Sequence, residues 1–220
     1  MCGFGAKKST GGSSKNGAYV VYESSDMTLV HEDRPSRVAI TGLRYSPSGD
    51  HIAIASDRSI FIASSLDFQT RAVVENKSSE VSHFDFSSDS KYLRTNTKLH
   101  ELTFFSTSDG KKIKSASSLK DTEWSSTTCP LVWSAQGLHG DMSRHVTCVD
   151  RAQKLLASGD ARGVIRLHRF PCVDDKAQSI RLVGHGSEVS ALRFNSDGSV
   201  LYTVGAKERV ICQWRVRGGH

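Results

Sequence analysis

Apolar and polar residues alternate along this chain in short runs, and one run recurs four times. It reads Ile40-Thr-Gly-Leu-Arg-Tyr-Ser-Pro-Ser-Gly-Asp50, Val81-Ser-His-Phe-Asp-Phe-Ser-Ser-Asp-Ser90, Val146-Thr-Cys-Val-Asp150 and Val189-Ser-Ala-Leu-Arg-Phe-Asn-Ser-Asp-Gly198. Each run opens on a β-branched residue and alternates with the period of a half-buried strand. Ser46-Pro-Ser-Gly49 is a turn in which Pro presets φ and Gly is free to take a positive one. The opening residues stand at 40, 81, 146 and 189, so the steps are 41, 65 and 43 residues. Two of these match the repeat of a WD-type blade, about 40–45 residues and four strands. The third is such a step plus an insertion of about 20 residues. The fold class expected is therefore all-β: a WD-repeat β-propeller of about four blades plus a partial blade, an incomplete ring.

The strand runs between these openings set the boundaries. Residues 1–16, rich in Gly, Ser and Lys, lack the apolar content to order themselves and are expected to form a flexible tail. Ala18–Tyr22 and Met27–His31, parted by turn residues, predict a partial blade over 17–33. Full blades follow at about 38–68, 81–115, 146–183 and 189–216, with a short tail at 217–220. His51–Ala55 and Ile60–Ala63 are nearly continuous in apolar character, as suits strands buried between neighbouring blades. The segment 116–145 is read as an insertion loop. It holds Trp124, Trp133, Cys129 and Pro130, including two of the chain's three tryptophans. Long loops on a rigid scaffold often carry binding. The competing reading is that both rings merely cover a blade.

Charge and composition narrow the function. The formal net charge is +6 and mean hydropathy is negative, which favours acidic partners. No apolar run approaches the roughly 18–20 residues that cross a bilayer, and residues 1–16 lack the apolar centre of a secretory signal. Five cysteines stand at 2, 129, 148, 172 and 212 without metal-site spacing, and their odd number argues against a disulfide framework. No phosphate-binding loop, nucleophile elbow or His-Glu-x-x-His motif is present. The chain reads as non-enzymatic, with no cofactor or metal, no nucleic acid and no membrane partner expected.

The remaining candidates divide in two. Gly184-His185 opens the last repeat and Trp214 closes it, in the Gly-His and Trp positions of a WD blade. Glu208 falls where the turn acid that such a His binds would lie, and Asp160 and Asp57 fill the analogous turn in two other blades. These five are expected to be structural. Trp124 and Trp133, with Lys111, Lys112, Lys114 and Lys120, are the candidate partner-binding residues.

More specific phrases stand in order along the blades. They are Leu43-Arg-Tyr-Ser-Pro-Ser-Gly-Asp50, Asp89-Ser-Lys-Tyr-Leu-Arg-Thr-Asn96, Ser118-Leu-Lys-Asp-Thr-Glu-Trp124, Lys154-Leu-Leu-Ala-Ser-Gly-Asp160, His168-Arg-Phe-Pro-Cys172 and Gln213-Trp-Arg-Val216. Together they resemble the C-terminal end of the echinoderm microtubule-associated protein-like family over about residues 17–216. The resemblance implies atypical propellers, a place in the cytoplasm on the microtubule cytoskeleton, and tubulin as a partner. A general protein-interaction scaffold without direct tubulin contact is the alternative. Four blades and a part do not close a ring of seven, so the chain is expected to be a fragment of a longer product, an arc completed by another chain, or half of a self-assembling pair.

Overall fold

A computed structural model describes residues 2–3, 17–139 and 145–217. It divides into two units, Met1–Ser125 and Ser126–His220. Both are built from antiparallel sheets of short strands, and among the described residues the only helical segments are two short 3-10 turns, Ala116–Leu119 and Trp133–His139.

The first unit holds three sheets. β1 (Cys2–Gly3), β2 (Tyr19–Tyr22) and β3 (Leu29–Asp33) form the partial blade. β1 lies within the stretch expected to be a tail, and residues 4–16 of that stretch fall outside the described residues. β4 (Ile40–Tyr45), β5 (His51–Ser56), β6 (Ser59–Ser64) and β7 (Thr70–Glu75) form a four-stranded blade. β7 extends this blade past the residue 68 boundary read from the sequence. Its Ala72 and Val74 are buried and alternate with exposed Arg71, Val73 and Glu75, so it is a period-2 edge strand with a weak apolar signal. β8 (Val81–Phe86), β9 (Tyr92–Thr97) and β10 (Leu102–Ser106) make the next blade, where a single bridge, Phe105 to Lys112, takes the place of a fourth strand.

The second unit holds two sheets. β11 (Val146–Ala152), β12 (Leu155–Asp160), β13 (Val164–Arg169) and β14 (Ser179–Val183) form a four-stranded blade. β15 (Val189–Phe194), β16 (Val200–Gly205) and β17 (Ile211–Arg215) form the last.

The repeated phrase has a local cause. In all four blades the register slips by one residue just after the opening residue: between Ile40 and Gly42, Val81 and His83, Val146 and Cys148, and Val189 and Ala191. The extra residue is always Thr or Ser. Its hydroxyl donates to a carbonyl of the paired strand: Thr41 to Ala55 at 3.3 Å, Ser82 to Asn96 at 3.1 Å, Thr147 to Gly159 at 3.2 Å and Ser190 to Val204 at 3.2 Å. A bulge leaves a ladder group unpaired and raises local twist. A short hydroxyl at the extra residue supplies the missing partner.

Cores form where one blade lies on the next within a unit. Ala53, Ala55, Ile60 and Ile62 of one blade pack with Val81, Phe84, Phe86, Leu93 and Phe105 of its neighbour. Cys148, Ala157 and Ile165 pack likewise with Val189, Leu192 and Leu201.

Candidate functional site

In the last blade the three residues singled out there converge through a fourth. Gly184-His185 precedes β15, Thr203 is the buried middle of β16, Glu208 lies in the β16–β17 turn and Trp214 is on β17. Trp214 Nε1 donates to Thr203 Oγ1 at 2.9 Å. Thr203 Oγ1 lies 2.8 Å from His185 Nε2, and His185 Nδ1 lies 2.9 Å from Glu208 Oε1. Indole can only donate and a carboxylate can only accept, so His185 carries a hydrogen on Nδ1 and donates it to Glu208, and Nε2 of the neutral ring accepts from the threonine hydroxyl. Ser187 Oγ donates to the other oxygen, Oε2. The chain Trp214–Thr203–His185–Glu208 thus has one direction and ties β16, β17 and the turn to the loop before β15. Gly205 makes the approach possible, because a Cβ there would lie 1.9 Å from Glu208 Oε1. Thr203 is wholly buried and its hydroxyl is also engaged by Trp214, so the geometry is that of a brace.

Asp160 and Asp57 stand at the β12–β13 and β5–β6 turns, equivalent to the turn of Glu208, but make different contacts there. Asp160 meets no histidine. Its Oδ1 accepts from the amides of Arg162 and Val164, both at 2.9 Å, and Oδ2 pairs with Arg166 at 2.8 Å. Asp57 acts through its backbone: it takes a positive φ of 54° in the β5–β6 hairpin, and its carbonyl accepts from the Val81 amide at 2.7 Å. Of the four repeats, the one that opens on Val189 is alone in being preceded by Gly-His.

These acids give the chain a pH dependence. Burial pushes the Asp160 carboxyl up, but the Arg166 guanidinium and the two turn amides outweigh it and hold it below the ordinary carboxylate range. Glu208 is held low chiefly by the Ser187 hydroxyl, with His185 adding to it. A carboxyl whose folded-state pKa is depressed contributes stability above its unfolded-state pKa, about 4, and loses that contribution as pH falls through the folded value. The thermal midpoint should therefore be flat from about pH 7 to 5 and fall below about pH 4. Asp160→Asn should flatten that decline. An equally steep decline in the variant would remove Asp160 from the explanation. Cys148, pushed up to about 11 by burial, stays a thiol and packs as a small apolar residue.

The partner-binding candidates fall into two groups, one in each unit. In the first unit Lys111, Lys112, Lys114 and Lys120 are all exposed. Lys111 pairs with Asp109 at 3.0 Å in the turn after β10, and Lys112 sits at the bridge to Phe105. Trp124 is half-buried: its backbone bridges Ser87, its ring lies 5.8 Å from Phe104, and the Arg94 guanidinium lies 4.6 Å over it. That ring covers a blade. Arg94 in turn joins Arg44 on Asp85, which is fully buried, with both ion pairs at 3.0 Å. Nothing in the sequence pattern marks these three charges as a buried cluster.

In the second unit Trp133 is 70% exposed. The turn that carries it is firmly seated. Cys129, Val132, Ala135 and Leu138 pack with Val149, Leu156 and Cys172. The Gly137 amide donates to the Cys172 carbonyl at 2.9 Å and the Cys172 amide to the Ser134 carbonyl at 2.8 Å. The two tryptophans thus answer differently to the choice between covering and presenting: Trp124 covers, Trp133 is presented. Charge is also uneven. Residues 1–125 carry sixteen Lys and Arg against fifteen Asp and Glu, and residues 126–220 thirteen against eight.

Comparison with known proteins gives one consistent picture. Residues 5–216 match the family described as the echinoderm microtubule-associated protein second beta-propeller. The 77 kDa echinoderm microtubule-associated protein of Strongylocentrotus purpuratus is 34% identical over 203 residues, 88% of this chain and 29% of that protein. Echinoderm microtubule-associated protein-like 2 of Homo sapiens is 30% identical over 203 residues, again 88% of this chain and 31% of the relative. The chain thus spans about a third or less of the length of these relatives. Among solved structures, a chain of the mitotic checkpoint complex superposes with a TM-score of 0.71 at 15% identity, covering 92% of this chain and 69% of that one. The computationally designed Ika8 protein superposes at 0.64 with 16% identity, covering 92% and 66%. At such identities the likeness is one of fold.

Proposed function

The chain belongs to the echinoderm microtubule-associated protein family, and from that membership we propose that it is a non-catalytic propeller module that binds tubulin or microtubules in the cytoplasm through its exposed basic residues. The supporting observation is the family match over residues 5–216, joined to an exposed lysine set on the first unit's last blade. Lys111, Lys112, Lys114 and Lys120 approach an acidic surface by long-range attraction, which salt screens. Exposed pairs contribute little each, so exchanging all four for Ala should weaken pelleting with microtubules by about 1–2 kcal/mol, about tenfold. It should also flatten the salt dependence. Co-sedimentation at two salt concentrations reads both, and unchanged affinity would remove these lysines from the contact.

A second reading rests on Trp133. A large ring held out on a braced turn suits a hot spot in a protein interface, where Trp is enriched. If the module is a scaffold whose tubulin attachment lies elsewhere, the wild-type chain stays in the supernatant at both salts. Trp133→Ala then weakens capture of another family partner, while the four-lysine variant does not.

A further inference from the structure

We propose that Ser115, Ser117 and Ser118 form a phosphorylation site for a serine kinase with an acidic peptide groove, and that the added phosphoryl groups cancel the lysines around them. The site rests on where the serines stand; its effect rests on the reading above that these lysines meet tubulin. Residues 111–120 run Lys-Lys-Ile-Lys-Ser-Ala-Ser-Ser-Leu-Lys, with four lysines and no acid. Lys112 stands three residues before Ser115, Lys114 three before Ser117, and Lys120 two after Ser118. A groove lined by acids selects a hydroxyl with cations at such offsets, because complementary charge fixes the register of the bound segment.

Accessibility supports the same assignment. Residues 114–118 are all exposed, an unbroken run between two anchors: the Ile113 amide on the Phe104 carbonyl at 2.8 Å, and buried Leu119. Ser115 is extended at the entry to the turn Ala116–Leu119, yet its hydroxyl caps no amide there. Ser115 Oγ lies 2.7 Å from Ser117 Oγ, and Ser118 Oγ donates to the Ser115 carbonyl at 2.7 Å. The turn is closed by long bonds, from the Ser118 amide to the Ser115 carbonyl at 3.3 Å and from the Lys120 amide to the Ser117 carbonyl at 3.4 Å. It can therefore open into a groove without disturbing a blade strand. Serines beside cations elsewhere serve the fold. Ser36, two residues after Arg34, accepts from the Ser56 hydroxyl and the Val38 amide, and buried Ser90, next to Lys91, accepts from the Ser48 amide. In the reaction the serine Oγ bonds to the γ-phosphorus of ATP, the bond from that phosphorus to the ADP oxygen breaks, and the hydroxyl proton passes to a base of the kinase. Each phosphoryl group brings a charge of about −1.5 to −2, so about two of them offset the four lysines. The ammonium groups then pair with phosphate oxygens of their own segment rather than with an acidic surface.

The test incubates the whole folded chain with radiolabelled ATP and the catalytic fragment of protein kinase C, a kinase directed to basic segments. Mass spectrometry should place phosphate within 115–118. The triple variant Ser115→Ala, Ser117→Ala, Ser118→Ala should keep the wild-type thermal midpoint, as exposed exchanges do, and lose the label. Exchanging the four lysines for Ala should slow labelling about tenfold. No label in 115–118 of the folded chain, or equal label in the triple variant, overturns the site. Co-sedimentation then reads the effect: the phosphorylated chain should pellet with microtubules about tenfold more weakly, and phosphatase should restore it. If the phosphorylated chain pellets unchanged while the four-lysine variant is weakened, the switch fails and the tubulin reading stands. If the four-lysine variant pellets like wild type, that reading fails and the switch with it, while the label in 115–118 still decides the site.

Discussion

Asp85→Ala is expected to destabilise the first unit by about 3–5 kcal/mol, the largest effect of any single exchange considered for it. The carboxylate is fully buried and holds two guanidinium groups, Arg44 through Oδ1 and Arg94 through Oδ2, each at 3.0 Å. Removing it leaves the Arg94 charge, itself almost wholly buried, without its counter-ion. Breaking a buried pair on one side costs far more than the pair contributes, because desolvation of the survivor is no longer offset. The damage should spread along what Arg94 touches. Its guanidinium lies over Trp124, and Trp124 lies against Phe104 of β10, so the segment covering that blade should loosen with it. Denaturant unfolding followed by tryptophan emission and by hydrogen exchange over β8–β10 would report the change. Asp85→Asn, which keeps the shape and loses the charge, should fall between wild type and Ala. A loss below about 1 kcal/mol for Asp85→Ala would mean that water reaches the arginines and the cluster is not buried in solution.

That cluster was the part of the molecule least legible in the sequence, whereas the blades were the most legible. A strand period of two, repeated at fixed steps, marks Ile40, Val81, Val146 and Val189 without reference to anything distant. The hydroxyl residue after each is equally local, since a bulge at one place in every blade requires a short donor there. Asp85 and Arg94 are different. In the sequence they read as ordinary outward positions of strands, because a period-2 pattern assigns a polar residue to the wet face. Only the stacking of blades turns that face inward. β7 was missed for a related reason: an edge strand buries one face lightly, and Ala72 and Val74 are a thin signal beside the Ile-rich strands before them. The tryptophans could not be told apart from composition at all. Trp124 has an arginine and a phenylalanine waiting on the blade, while the turn bearing Trp133 spends its apolar residues on the core and leaves the ring outside.

The brace of the last blade shows the same division between local and distant. His185, Glu208 and Trp214 were readable from their places at the ends of the repeat, but Thr203, which connects them, looks like any strand threonine. Its exchange for Val should therefore cost more than a strand position suggests. Val keeps the shape of Thr and removes the one hydroxyl that accepts from Trp214 Nε1 and donates to His185 Nε2. Buried His185 Nε2 and part-buried Trp214 Nε1 then lose their partner; at about 1–3 kcal/mol for a buried group and less for a part-buried one, a loss of about 2–4 kcal/mol is expected. Thr203→Ser, which keeps the hydroxyl, should stay within about 1 kcal/mol of wild type, the cost of a lost methyl group. Hydrogen exchange should locate the difference: in Thr203→Val the amides of β16 and β17 lose protection before those of β11–β13, which do not depend on the brace. Equal behaviour of Val and Ser would mean that the threonine acts by packing alone. The His185–Glu208 pair would then hold the turn without help from the indole, and the directed chain of four residues would reduce to a single contact at the loop.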